Sequence, residues 1–394
     1  MINRRSATLP RILTALFLSV FGFATTVPLL SLYAREMGAG EAGVGILLAI
    51  YPLIDLLLAP LVGRLSDRWG RRPVLLVAQL CFTLGWGTLA LADSVWMFAL
   101  SQLLTGLGST QITITYAYVA DVTPPEKRTR GMGLFGMVFA GSFVLGPPLG
   151  GALSSLHGAA PAALAAGFTL LAFLFTYLRI DEPPRREQNV RDLPKRAGLN
   201  RIIVALIALY AVIVFMETQI TAMFGLYAQD LYGWGKRETG MFFGLFGLTG
   251  ALVQGVAAGR LAGRFGRPFM ILSGFLFALV GMLGMTLAGV FADGPAWVYG
   301  GVIAAALGYG LLVPSISSLV SLHAPRRLQG QVLGVLQAAA SLSRVLAPAV
   351  GGLLYQRIAP YAPYGLATIL ALVGFFAALA GRRAFRVRQS HVEQ

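Results

Sequence analysis

Long uninterrupted runs of apolar residues extend through this chain from residue 10 to residue 382, and they constrain its fold more than any other feature. A helix needs about 20 residues to cross the hydrocarbon core of a bilayer, and twelve runs reach that length. Charged residues make up only 12% of the chain and the mean hydropathy is +0.72, which is outside the range of ordinary soluble proteins. The sequence therefore predicts an all-α integral membrane protein with twelve transmembrane helices.

A polar, proline-broken stretch interrupts these runs once, at RIDEPPRREQNVRDLPKRAGLN (179–200), with six runs on each side. The string GRLSDRWGRR (63–72) returns in degenerate form as GRLAGRFGR (259–267), at the end of the second run of each half. Such internal repeats are typical of transporters that bind their substrate between two related halves. We predict two pseudo-symmetric six-helix bundles at residues 1–180 and 201–394, a cytoplasmic linker at 181–200 and a short cytoplasmic C-terminal tail.

Basic residues are distributed unevenly along the chain, which has 31 Lys and Arg and a net charge of +15. Nearly all of them lie in or beside the two tails, the linker and the loops after even-numbered runs. The opposite loops hold only Arg35, Lys236, Arg237 and Arg357. The positive-inside tendency then predicts a multi-pass protein of a bacterial-type inner membrane with both termini in the cytoplasm. Because topology explains the charge, we expect no nucleic-acid partner.

The sequence offers no set of residues for catalysis or for metal binding. It has one cysteine, Cys81, and three scattered histidines, and it contains no Walker A, H-E-x-x-H or G-x-S-x-G string. Helices without a nucleophile and a base cannot carry out acid–base chemistry. We therefore expect no enzyme activity, no cofactor and no metal.

Four strings resemble the major facilitator superfamily, and more narrowly its twelve-span drug:proton antiporter branch. GRLSDRWGRRPVL (63–75) matches the superfamily motif between the second and third helices, and GSFVLGPPLGG (141–151) matches the antiporter motif of the fifth helix. GFATTVPLL (22–30) resembles the first-helix pattern, and ADVTPPEKR (120–128) resembles the loop after the fourth helix. The resemblance covers essentially the whole chain.

The resemblance implies a function and a set of partners. It implies a secondary active transporter, a proton-coupled exporter of small amphipathic or drug-like compounds that works by alternating access. The expected partners are a small-molecule substrate, protons and the lipid bilayer, and we expect a monomer. Two alternatives stay open: a dedicated transporter of one metabolite such as a siderophore, sugar or organic anion, and a non-transporting membrane receptor or scaffold.

The resemblance also implies that the first motif is a cytoplasmic gate, which in the family latches the two halves while the cytoplasmic side is closed. Gly63 and Gly70 permit close approach and a tight turn, and Asp67 can accept charge-assisted hydrogen bonds from neighbouring arginines. The alternative is that the string only enforces membrane topology. The predicted gate residues are Gly63, Asp67, Arg68, Gly70, Arg71, Arg72, Asp121 and Arg128.

The fifth helix carries the string GPPLGG, in which two prolines remove backbone donors while the glycines allow another helix to approach closely. A hinge or a tight seam is expected, although proline is also frequent in ordinary transmembrane helices. The predicted hinge residues are Gly146, Pro147, Pro148, Gly150 and Gly151.

Two positions depart from the family pattern. The fourth-helix motif of the antiporter branch normally opens with an arginine, and this chain has Gln102 there. The role of that arginine in proton coupling therefore cannot be transferred. The second copy of the gate motif has Gly263 in place of its aspartate, so the two halves are not equivalent at the gate.

Three charged residues lie within the apolar runs, where each costs about 2.5–3.5 kcal/mol to insert and is usually functional. We predict that Asp55 carries a proton or binds a cationic substrate, and the alternative is a static salt bridge, for example with Arg344. Glu217 is a candidate proton entry point or substrate-binding acid. Arg344 is a candidate for binding an anionic substrate or for bracing the structure.

The fourth helix carries a polar stripe, because its polar residues recur at three- and four-residue steps and so share one face. The stripe could line a substrate cavity, and hydrogen bonding between helices explains it equally well. Its members are Gln102, Thr105, Ser109, Thr113 and Tyr116.

Overall fold

The structure is a computed structural model that describes residues 2–124, 127–183, 200–291, 294–325 and 328–382, without the side chains of 2–7, 128–130, 257 and 330. Most of the predicted linker, at 184–199, and the predicted tail beyond residue 382 lie outside the described residues. The side chain of Arg128, a predicted gate residue, lies outside them as well.

Nearly all of the described residues are helical, and none of them forms a β-strand. A 3-10 turn at Val27–Leu29 joins the first two helices, and a π-helical turn at Val253–Ala257 joins the ninth and tenth. The α-helices are α1 (Ile2–Thr26), α2 (Leu30–Glu36), α3 (Glu41–Trp69), α4 (Arg71–Ala90), α5 (Val95–Val122), α6 (Arg128–Ser154), α7 (Ala160–Arg179), α8 (Arg201–Tyr232), α9 (Lys236–Leu252), α10 (Ala258–Phe265), α11 (Arg267–Phe291), α12 (Ala296–His323), α13 (Gln329–Arg357) and α14 (Ala362–Gly381).

Eleven helical segments of the described chain are long and apolar enough to cross a membrane, and the first of them combines α1 and α2. The helix α5 is not among the eleven, because its many Ser, Thr and Gln residues make it less apolar. It is nevertheless 28 residues long, and at about 1.5 Å per residue this exceeds the thickness of the hydrocarbon core. Counting α5 gives the twelve segments that the sequence predicts.

The internal repeat reappears in the packing of two helix pairs. Between α4 and α5, a Cβ added to Gly85 would lie 2.7 Å from the Thr105 backbone nitrogen. Between α11 and α12, a Cβ added to Gly281 would lie 2.5 Å from the Ala305 backbone nitrogen. Each of the two helix pairs therefore needs a glycine at this position, so that the backbones of its two helices can approach closely. The two glycines have the same separation along the chain as the two copies of the gate motif.

The described residues form two compact units, which lie within Met1–Gln188 plus Thr221–Gly244 and within Asn189–Ile220 plus Leu245–Gln394. In the first unit, α4 packs against α5 and α7, and α1 packs against α6 and α7. In the second unit, α11 packs against α12 and α14. The helices α8 and α9 each contribute to both units. The predicted division at 181–200 is a boundary along the chain, whereas the two units group residues by their contacts in space. The two divisions therefore need not coincide.

Candidate functional site

The gate motif turns from α3 into α4 at a single left-handed glycine. Gly70 has a φ of +108°, which residues with a side chain rarely adopt. A Cβ added there would also lie 2.7 Å from Glu182 Oε1. At Gly63, in contrast, an added Cβ would meet no atom within 4 Å, so this structure shows open space where a close approach was predicted.

Arg71 is the centre of the gate network. Its Nη2 lies 2.7 Å from Asp67 Oδ1, and its Nε donates to Asp121 Oδ2 at 3.1 Å. Its Nη1 donates to Ser66 Oγ at 2.6 Å. One guanidinium thus connects the end of α3, the start of α4 and the end of α5. The structure therefore brings together three of the predicted gate residues, Asp67, Arg71 and Asp121.

Two further gate arginines, Arg72 and Arg68, lie beside this network. Arg72 Nη2 donates to the Tyr177 carbonyl at 2.7 Å, and its guanidinium lies 5.8 Å from the centre of the Tyr177 ring. This contact attaches the start of α4 to the end of α7. Arg68 is exposed on the last turn of α3.

The carboxylate at the start of α4 is that of Glu182, a residue that the sequence reading missed. Its Oε1 accepts the backbone N–H of Arg71 at 2.5 Å, and its Oε2 accepts the backbone N–H of Arg72 at 2.8 Å. The carboxylate therefore caps two free donors and meets the positive end of the helix dipole. The sign of this cap in the sequence was the pair of adjacent acids, Asp181 and Glu182. The sequence could not show which of the two makes the cap.

Replacing Glu182 with alanine is expected to lower the stability of the purified protein by about 0.5–2 kcal/mol, since both capping hydrogen bonds are lost. Thermal unfolding in detergent provides the measurement. Asp181→Ala is the matched control, because Asp181 takes part through its backbone carbonyl, which accepts a hydrogen bond from Tyr118 at 2.5 Å. Equal shifts of the midpoint in the two variants would contradict the capping role.

Asp55 is hydrogen-bonded to the polar stripe of α5. Ser109 Oγ donates to Asp55 Oδ1 at 2.6 Å, and Ser109 is buried while Asp55 is half-buried. Both residues belong to the first unit. The structure thus joins two of the predicted site residues. The pairing of Asp55 with Arg344 stays a prediction.

The polar stripe divides into a buried part and an exposed part. Gln102, Thr105 and Ser109 are buried, and the Thr105 hydroxyl donates to the Ser101 carbonyl of its own helix at 2.8 Å. Thr113 and Tyr116 are exposed, and the Tyr116 ring packs edge-on against Phe135 of α6. The Nε2 of Gln102 is buried without a hydrogen-bond partner among the described residues.

Glu217 and Arg344 interact electrostatically within the second unit. Glu217 is half-buried and Arg344 is exposed. Tyr210 and Tyr309, both buried, also interact with Glu217. The sequence reading missed both tyrosines. Tyr210 lies two helical turns before Glu217 and shares its face, which was a usable signal, whereas nothing local pointed to Tyr309.

The fifth-helix motif forms a tight seam. The helix α6 continues without a break through Pro147 and Pro148. A Cβ added to Gly150 would lie 1.8 Å from the Thr25 carbonyl oxygen, and one added to Gly146 would lie 2.7 Å from the Ala24 Cβ. On its other side, a Cβ added to Gly151 would lie 2.8 Å from the Lys236 carbonyl oxygen at the start of α9.

Gly150→Ala is expected to destabilise the protein by about 1–3 kcal/mol, because the new methyl group would overlap the backbone of the neighbouring helix. The unfolding midpoint in detergent is the measurement. Gly141→Ala in the same helix is the control, since a Cβ there would meet no atom within 4 Å. If both variants unfolded at the same temperature, the seam would not constrain position 150.

The apolar helices, the internal repeat and the charged residues placed inside the spans define a multi-pass membrane transporter. The family model of the Major Facilitator Superfamily matches residues 12–348, and the chain belongs to this family. The fold prediction is therefore confirmed, since the all-α architecture, the count of twelve helices and the layout of two bundles fit the family. The protein is a non-enzymatic transporter of small molecules in a bacterial-type inner membrane.

Two relatives match over most of their length. The chain is 32% identical to tetracycline resistance protein, class E, of Escherichia coli, with 87% of each chain covered. It is 24% identical to multidrug resistance protein 1 of Bacillus subtilis, with 99% of this chain and 100% of that protein covered.

Solved structures share the fold. The human organic anion transporter MFSD10 (TETRAN) matches with a TM-score of 0.70 and 22% identity, over 95% of this chain and 99% of that one. A POT family transporter in complex with 5-aminolevulinic acid matches with a TM-score of 0.79 and 13% identity, over 96% of both chains. At these identities the likeness concerns the fold alone.

Proposed function

We propose that this chain exports small amphipathic or drug-like compounds in exchange for protons, and that it works as a monomer by alternating access. The observation that carries the proposal is the hydrogen bond between Asp55 and Ser109 within the spans. Similarity to tetracycline and multidrug resistance proteins supports the class of substrate. Both termini are proposed to be cytoplasmic, because the basic residues concentrate on that side.

Ser109 has one hydroxyl proton and two acceptors within reach. Its Oγ lies 2.6 Å from Asp55 Oδ1 and 2.7 Å from the Gly106 carbonyl oxygen. When Asp55 is ionised, the hydroxyl donates to the carboxylate. When Asp55 is protonated, the acid donates to Ser109 and the hydroxyl turns to Gly106. Both protonation states are therefore hydrogen-bonded, which suits an acid that repeatedly loads and releases a proton.

The cluster around Glu217 supplies groups for a substrate. Glu217 and Arg344 carry opposite charges, and the hydroxyl of Tyr309 is buried without a hydrogen-bond partner among the described residues. Such groups cost about 1–3 kcal/mol when left unsatisfied, so bound water or ligand commonly satisfies them. This supports a site for a compound that combines a charged group with polar and aromatic surface.

Transport in proteoliposomes with an imposed pH gradient tests the function. A panel of lipophilic dyes, drugs and single metabolites would be loaded, with an ionophore that collapses the gradient as the control. We expect several unrelated amphipathic compounds to accumulate uphill. Transport of one metabolite alone would instead support the dedicated transporter, and saturable binding without transport would support the receptor.

The proposed moving parts are the two halves at residues 1–180 and 201–394, with the gate motif at one end and the seam of α6 as the hinge. Asp67→Asn is expected to reduce transport severalfold, as the loss of a latch worth about 1–2 kcal/mol implies. Membrane insertion should persist, because the Asp67 side chain is 59% exposed.

Uptake rates, together with spin-label distances across the gate end, measure the effect of Asp67→Asn. Adding Gly263→Asp to this variant is the control, and it should not restore transport because that position belongs to the other copy of the motif. A normally inserted Asp67→Asn variant with unchanged distances would rule out the latch.

A further inference from the structure

A second group of ion pairs lies at the opposite end of α3 from the gate motif. The gate motif includes the last residues of α3, whereas this group surrounds its first residue. All of its members belong to the first unit, although they come from distant parts of the chain. We call it the distal cluster, and it consists of Tyr33, Arg35, Glu36, Glu41, Asp230 and Lys236.

Lys236, the first residue of α9, is enclosed by the distal cluster. Its Nζ lies 2.6 Å from Glu36 Oε2 and 3.7 Å from the centre of the Tyr33 ring, and its side chain is only 8% exposed. The Tyr33 hydroxyl donates to the Gly158 carbonyl at 2.7 Å, which fixes the ring. A nearly buried ammonium is stable only with such partners, because burial removes its hydration.

Arg35 makes the second connection, to the last turns of α8. Its Nη1 and Nη2 donate to Asp230 Oδ1 and Oδ2 at 2.5 and 3.0 Å, which is a bidentate pair. Its Nη1 also donates to Gln229 Oε1 at 3.2 Å, and its Nη2 lies 3.4 Å from Glu41 Oε1. One guanidinium therefore holds α8 against α2 and α3.

Beneath the distal cluster, glycines let the helices approach one another closely. A Cβ added to Gly225 of α8 would lie 2.6 Å from the Ser31 Oγ of α2. A Cβ added to Gly240 of α9 would lie 2.4 Å from the Pro147 carbonyl oxygen of α6. Small residues of this kind permit close packing between helices. The acids above them are partly exposed, with Asp230 at 34% and Glu36 at 57%, so their charges regain water when the pairs open.

We propose that the distal cluster is the gate at the far end of the transport path, and that Lys236 and Arg35 are its gating residues. They hold the ends of α8 and α9 against α2 and α3, and both pairs must open once in each cycle. The continuation of α8 and α9 into the second unit, past Ile220 and Gly244, lets these helices respond to movement of that unit. The proposal rests on the alternating access proposed above.

The exposure of Ser31 tests this gate in the absence of substrate and of a proton gradient. A Ser31→Cys reporter in a Cys81→Ser background would be reacted with a charged maleimide in detergent, since Ser31 is buried at 1% exposure. We expect slow labelling in the reporter protein. We expect about tenfold faster labelling after Lys236→Gln or Arg35→Gln, because each leaves a partner unpaired.

Arg237→Gln is the matched control, because Arg237 is the exposed neighbour of Lys236 and should leave labelling unchanged. The exchange Glu36→Lys with Lys236→Glu restores the ion pair but not the cation over Tyr33, so labelling should return part of the way to the slow rate. This partial return would also show that the faster labelling of the single variants does not come from misfolding. Equal labelling rates in the reporter, Lys236→Gln and Arg35→Gln proteins would overturn the gate. The proton-coupled export would be unaffected, since its test is uphill accumulation.

Discussion

Asp55→Asn is expected to abolish uphill export while leaving downhill exchange of substrate measurable. Asparagine has nearly the same shape and still accepts a hydrogen bond from Ser109, but it cannot gain or lose a proton. At 100 mV one charge crossing the membrane is worth about 2.3 kcal/mol, enough for roughly a fiftyfold concentration ratio. Loss of the carrier should therefore reduce the steady-state accumulation ratio toward one, measured in proteoliposomes with an imposed pH gradient.

Two variants separate this role from general damage at Asp55. Asp93→Asn removes an acid from the short loop between α4 and α5, and transport should remain at the parent level. Ser109→Ala keeps the acid and removes its hydrogen-bond partner, so uphill transport should persist. An Asp55→Asn protein that accumulated substrate at the parent rate would end the assignment of Asp55 as the carrier.

Glu217 and Arg344 are the charge pair of the second unit. Arg344→Gln is expected to lower the stability of the protein more than Glu217→Gln does. The loss of Arg344 removes the opposite charge beside the half-buried Glu217 carboxylate, whereas the loss of Glu217 affects a guanidinium that is less buried. We expect Arg344→Gln to cost about 1–3 kcal/mol and Glu217→Gln to cost less. The double variant should recover part of the loss, because the orphaned charge is gone.

Thermal unfolding of the four proteins gives this double-mutant cycle, and dye binding to the same samples reports the substrate site. Arg357→Gln, at the end of the same helix α13, is the control for the loss of an exposed arginine. We expect both Glu217→Gln and Arg344→Gln to weaken binding of charged dyes. Additive unfolding shifts together with unchanged dye binding would show that Glu217 and Arg344 act neither as a pair nor as part of the site.

The sequence by itself determined the helices and the chemistry of single positions. Crossing a bilayer requires local runs of apolar residues, so the twelve segments can be counted without knowing their neighbours. The left-handed turn at Gly70 and the unusual charges at Asp55 and Glu217 are likewise local features. The stripe on α5 was also predictable, because helical periodicity alone places Gln102 and Ser109 on one face.

Only the tertiary structure decided which of these residues meet. The cap of α4 comes from Glu182, which lies beyond three further helices of the chain, and Lys236 of α9 finds its partner at Glu36 of α2. In the same way, Ser109 of α5 is a hydrogen-bond donor that the structure gives Asp55 of α3. Helical periodicity fixes the face on which a side chain lies, but packing between glycine-lined surfaces fixes which helix that face contacts. Such packing depends on residues far apart in the chain, so no local pattern could have predicted these pairs.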